Sequence, residues 1–207
     1  MNTRNPIGMR AGSGRGVRAA RGRRRFAGSA ILEFVLAGTF VLLPLIFGTA
    51  TVGLALLENL HVVQLNRDAG NLFARGTDFS VPANRSVLLQ LANGLNISDS
   101  GGDGVIVLSV IQCTAAGQAV CSRRLVIGNP SLATSGGGSR FVNPKKFVGT
   151  DGTVNTADPS ADADSFLAVF NMNPGETVYI AETYFRTNSY DLPGLLTNTG
   201  IYTKSFF

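Results

Sequence analysis

Apolar and polar positions change rhythm along this chain. From Phe34 to Leu57 there are 24 consecutive residues without a charge. As a helix rising 1.5 Å per residue, that run spans about 36 Å, against a bilayer core of about 30 Å. A helix in a soluble core rarely runs so far without a polar face, so the pattern predicts a membrane-spanning helix. Pro44 lies inside the run, removes one backbone hydrogen bond and predicts a local kink. Ala37, Gly38, Gly48, Ala50, Gly53 and Ala55 are small enough to admit a neighbouring helix.

The helical period continues past the apolar run. Leu54, Leu57, His61, Leu65, Ala69 and Leu72 recur at three- and four-residue steps, with Asn59, Gln64, Arg67 and Asp68 between them. One helix is predicted from about residue 30 to about 75, greasy all round at first and amphipathic later, with Gly76 as its stop. A second short helix is predicted over 84–95, ending near Gly94. From about residue 103 the period becomes two. Val105–Ile111, Arg124–Ile127 and Thr177–Phe185 read as strands, and Ile201–Phe207 as a last short strand or a docked aromatic end. Ser135–Ser139 and Gly149–Asp164 are rich in Gly, Ser, Asn and Asp and read as loops. The fold class is therefore α+β: a long N-terminal transmembrane and amphipathic helix, then a small head with an antiparallel β-sheet.

Charge divides the chain again. The net charge is +5, yet residues 1–28 hold eight arginines and no acid. The remaining residues carry ten Lys+Arg against thirteen Asp+Glu, a balance of −3. The basic character belongs to a short N-terminal segment, and residues 1–25 are predicted to be disordered. Arginines ahead of an apolar run and a mildly acidic domain behind it predict a cytoplasmic N-terminus. No aromatic residues interleave the arginines to stack bases, so nucleic acid is not an expected partner.

The junction Arg23-Arg24-Arg25-Phe26-Ala27-Gly28-Ser29-Ala30-Ile31-Leu32-Glu33-Phe34 resembles the processing site of type IV prepilins. In that family a basic leader ends in glycine, and a membrane peptidase cuts after it on the cytoplasmic side. A glutamate stands fifth in the mature chain. Here the resemblance implies Gly28 as the leader end, Ser29 as the new N-terminus and Glu33 as the assembly residue. Glu33 would pair with the freed amino group of a neighbouring subunit and set its register. The stretch Asn66-Arg67-Asp68-Ala69-Gly70-Asn71-Leu72-Phe73-Ala74-Arg75-Gly76 narrows this, since it is similar to the segment that follows the membrane helix in TadE-like proteins. Those are minor pilins or pseudopilins of tight-adherence (Flp-type) pili. Gly175–Ile180 looks like their C-terminal strand. The resemblance implies as partners a prepilin peptidase, other pilins, the inner-membrane assembly platform and membrane lipid. It also implies a head that is periplasmic, or extracellular within a pilus, and a role in assembly and adhesion. The expected organisation is a basic leader at 1–28, a transmembrane helix at 29–57, a helical extension and short helix at 58–100, and a β-rich head at 101–207.

Other residue types narrow the chemistry. A single histidine, His61, and two cysteines exclude a site built on several histidines or four cysteines. His61 reads as a packed residue. No nucleophile–base pair and no metal cluster is visible, so no catalytic residue, metal or cofactor is expected. Cys113 and Cys121 would close a loop between the first two strands of an exported head, which favours a disulfide. Asp158, Asp162 and Asp164 lack the spacing of a calcium loop and read as a solvated acidic stretch. Two alternatives stay open. Arg23-Arg24-Arg25-Phe26 resembles a twin-arginine signal, with Gly48-Thr49-Ala50 as a cleavage site that would free a soluble domain. The chain could also be a single-span tethered protein.

Overall fold

The computed structural model describes residues 23–134, 152–157, 161–187 and 200–207, with backbone only for 23–28 and Thr134. The long N-terminal helix α1 runs Arg23–Ala74. The chain forms two compact units, one ending at Ala50 and the other beginning at Thr51.

In the first unit, α1 is apolar on all sides and buries none of it. Ile31, Leu32, Phe34, Phe40, Val41 and Ile46 are 51–79 % exposed. Its few hydroxyls turn inward on the backbone: Thr39 Oγ1 donates to the Val35 carbonyl at 2.8 Å, and Thr49 Oγ1 to that of Leu45 at 3.0 Å. This is how a helix carries threonine where water is absent. The helix continues through Pro44. A Cβ placed on Gly38 or Gly48 would meet nothing within 4 Å, so no other part of the described chain uses those small residues.

The second unit is a helix-backed sheet. α1 stops at Gly76, whose φ of 88° lets the chain turn back. The Gly76 amide donates to Phe73 and the Thr77 amide to Leu72, closing a Schellman cap. α2 follows at Pro82–Leu91. Proline at its first turn needs no amide partner there. Two short strands, β1 (Ile97–Ser98) and β2 (Gly101–Gly102), pair with each other. The main sheet is antiparallel, with order β4-β3-β5-β6. β3 is Gly104–Cys113, β4 Ala119–Gly128, β5 Thr177–Phe185 and β6 Ile201–Phe206. Short helices α3 (Pro130–Thr134) and α4 (Asp164–Leu167) interrupt the connection from β4 to β5.

The alternation of side chains assigns the two faces. Ile106, Leu108 and Val110 of β3, Leu125 and Ile127 of β4, and Ala181 and Phe185 of β5 join Val62, Leu65, Ala69 and Phe73 of α1 in the largest core cluster. Leu88 of α2 completes it, with Phe79 between the two helices. The opposite face carries two smaller clusters: Val105 and Val107 under Leu132 and Ala133 of α3, and Ile111, Cys113, Cys121 and Ile180 under Phe166 of α4.

The helical stripe is rotated from its expected phase. Leu54 and Leu57 are 50 % and 64 % exposed, while Val62, Leu65, Asn66, Ala69, Gly70 and Phe73 are buried. A helix that is apolar all round gives no moment from which to read its buried side. The expected loop at 135–139 lies outside the described residues. Of the second loop, 152–154 and 161–163 lie along the outer edge of β4, through Arg123–Thr153 and Val120–Asp162 bridges. That cover removes an exposed sheet edge.

Candidate functional site

The predicted processing residues sit at the start of α1. Both Gly28 and Ser29 lie within the helix. Glu33 is exposed and makes no ion pair among the described residues. Residues 1–22, with five of the leader arginines, lie outside the described residues. Of these residues Ser29–Ala74 form one helix long and apolar enough to cross a membrane.

The segment 66–76 turns out to be where helix meets sheet. Asn66 is fully buried, and its amide bridges two strands. Asn66 Nδ2 donates to Ser205 Oγ of β6 at 2.9 Å, and its Oδ1 accepts from Thr183 Oγ1 of β5 at 2.9 Å. One turn on, Gly70 lets the sheet approach: a Cβ there would lie 2.8 Å from Phe207 Cζ and 3.0 Å from the Ala181 Cβ. Arg67, Asp68 and Arg75 are exposed. Asp78 pairs with Arg123 of β4. Asp78 also accepts from the Ser80 amide at 2.9 Å and from the Ser80 hydroxyl. These bonds, led by the Ser80 amide, hold its carboxyl below the usual carboxylate range. His61 packs as expected: its Nε2 donates to the Leu91 carbonyl at 3.1 Å.

Sequence reasoning missed the centre of the sheet's second face. Arg124 and Glu182 are each 2 % exposed. Arg124 lies opposite Ser109 on β3, and Glu182 lies opposite the adjacent same-face residue Val107. Ser109 is small, so the two charges can approach across the middle strand. The Tyr202 hydroxyl donates to Glu182 Oε1. Burial weakens Arg124's hold on its proton, and the nearby Glu182 carboxylate opposes that. The period-two pattern did contain a signal, because it places both charges on the face away from α1.

The two cysteines are free thiols in the structure, not the expected bridge. Cys113 lies opposite Ala119 and Cys121 opposite Ile111, so they are diagonal neighbours rather than a facing pair. Both are buried in the cluster under α4. Burial pushes the Cys121 thiol up to about 11. Asp162 and Asp164 spend a carboxylate oxygen each on backbone amides: Asp162 on Asp164 at 2.8 Å, and Asp164 on Ala119 at 3.1 Å. Asp158 lies outside the described residues. Among those residues no group of three or more His, Cys, Asp or Glu converges.

No protein-family model, curated protein or solved structure matches this chain. The geometry therefore speaks for itself. The first unit offers an exposed apolar helix with one acid near its start, and in the second a helix meets a small sheet through Asn66 and Gly70.

Proposed function

We propose that this chain is a membrane-anchored structural protein of the TadE-like minor pilin kind, trimmed between Gly28 and Ser29 by a prepilin peptidase and used in building a tight-adherence pilus. The observation that carries the reading is Glu33, fifth from Ser29, at the start of an apolar helix that stays exposed through residue 47. A carboxylate near hydrocarbon costs several kcal/mol unless it is paired. The amino group released at Ser29 of a neighbouring subunit is a cation at a similar depth. Their pairing would fix the axial register of subunits, while the exposed apolar helices pack together. The arginines before the apolar run orient the N-terminus to the cytoplasm and the head to the periplasm.

Cleavage needs an extended substrate, and Gly28–Ser29 is helical here. Helix ends fray, and Gly28–Ser29 lies within the first two turns of α1. Gly28 lowers the cost further, since glycine disfavours helix by about 1 kcal/mol relative to alanine. In this account Glu33→Ala leaves the protein processed and in the membrane but absent from the sheared surface fraction. Glu33→Ala present there at the wild-type level contradicts the register role.

One observation favours the exported soluble alternative: the second compact unit begins at Thr51, just after Ala50. Against it, a product starting at Thr51 would carry Leu54, Leu56, Leu57 and Leu60, all 50–64 % exposed. Such a patch marks an interaction surface rather than a free soluble domain.

A further inference from the structure

The helical hairpin gives the head an end where the charged residue at the level of Leu57 is the half-buried Glu58. The Phe73 ring meets Phe79 at 6.5 Å ahead of α2, and the last turn of α2 reaches His61 through the Leu91 carbonyl. The two helices are therefore antiparallel, and α2 returns to within one turn, about 6 Å, of Leu57. Leu57 and Leu60 are the last large apolar residues that α1 exposes; beyond them Gln64, Arg67, Asp68 and Asn71 are exposed instead. At that level α2 exposes Leu91, at 39 %, beside Gln90 and Asn93. From Ser86 to Ser98 there is no charged residue. The flanking charges, Arg85 and Asp99, neutralise each other at 3.1 Å. Glu58 of α1 is half-buried at this level.

We propose that this end of the head, Leu57, Leu60 and Leu91 with the amides of Gln90 and Asn93, rests in the headgroup layer of a lipid bilayer. The inference rests on the reading that α1 spans the membrane. Leucines on such a surface enter the acyl boundary by about 5–10 Å, while neighbouring amides stay hydrated among the headgroups. A second copy's apolar helix would instead strip water from Gln90 and Asn93 and leave them unsatisfied. The contact adds a second anchor beside α1 and restrains rotation of the head about the helix axis.

The test uses the full chain in phosphatidylcholine nanodiscs, with a bimane label at Leu91→Cys and references at Ile46→Cys and Asn71→Cys. Cys113 and Cys121 are buried and stay unlabelled. A nitroxide on the lipid headgroup is expected to quench the Leu91 label about twofold or more above the Asn71 label. A nitroxide deep in the acyl chain is expected to quench the Ile46 label. Equal quenching at Leu91 and Asn71, with Ile46 quenched, overturns the inference and leaves the spanning reading standing. An unquenched Ile46 label overturns both. Label-to-label contact at Leu91 in discs holding two copies, without headgroup quenching, assigns the surface to a second copy and overturns the lipid contact.

Discussion

Replacing Asn66 by alanine removes the one fully buried polar side chain of α1 among the described residues. Two hydrogen bonds of 2.9 Å disappear, and Thr183, itself fully buried, loses its hydroxyl's partner on α1. A buried group left unsatisfied costs about 1–3 kcal/mol, and Ser205 is less enclosed, so the expected loss is about 2–4 kcal/mol. For a domain of this size that lowers Tm by about 4–16 °C. The assay is thermal and urea unfolding of the full chain in detergent, followed by tyrosine fluorescence, since the chain has no tryptophan. The reasoning makes a sharper demand as well. Asn66→Leu with Thr183→Val and Ser205→Ala removes donors and acceptors together, and should recover most of the loss, because exchanging all partners for apolar groups is close to neutral. A loss under about 0.5 kcal/mol for Asn66→Ala, within the range of an ordinary surface change, would refute the argument. So would a triple variant no more stable than Asn66→Leu alone.

Two other perturbations follow from the second face of the sheet. Arg124→Met leaves Glu182 buried beside an apolar side chain and should cost about 3–5 kcal/mol, whereas Arg124→Met with Glu182→Leu should cost much less; unfolding midpoints of both variants decide it. Cys121 makes the domain sensitive to alkali. Its thiol titrates near 9.0 when unfolded and near 11 when buried, so the unfolded state loses its proton first. The stabilisation is fully present below pH 9 and is lost as pH rises through about 11, on the order of 2–3 kcal/mol in all. Cys121→Ala should flatten that part of the stability–pH curve, and an unchanged slope would count against the burial argument.

Much of the architecture was legible because it is written in period and in glycine. The third strand's expected limits, Thr177–Phe185, are those observed, and Gly76 ends α1 as its position suggested. Other limits shifted: α1 starts at Arg23 rather than near residue 30, and α2 ends at Leu91 rather than 95. Pro82 starts α2 two residues before the expected helix, and β4 extends back to Ala119, because the β3–β4 hairpin pairs down to its turn. What hydropathy could not disclose was polar packing. Asn66 stands in the 62–66–69–73 spacing of the buried stripe, but an asparagine there reads as surface until its partners on β5 and β6 are known. Those partners lie more than 100 residues away in the chain. Gly70 gave a local hint, since a glycine inside a helix costs stability unless something packs closely against it. Charged side chains such as Arg124 and Glu182 are rarely fully buried. On that face α3 packs against Val105 and Val107, and α4 packs near Ile111 and Ile180. The proposed processing site rests on a resemblance alone. Its chemistry depends on a peptidase and neighbouring subunits that a single chain does not contain.

The most direct measurement of the central claim is the N-terminal residue of the protein recovered from bacterial membranes, with and without a prepilin peptidase. The account predicts Ser29 when the peptidase is present and Met1 when it is absent, with the protein in the membrane in both cases. An N-terminus near Thr51 on a soluble product, or an intact Met1 whether or not the peptidase is present, would contradict it.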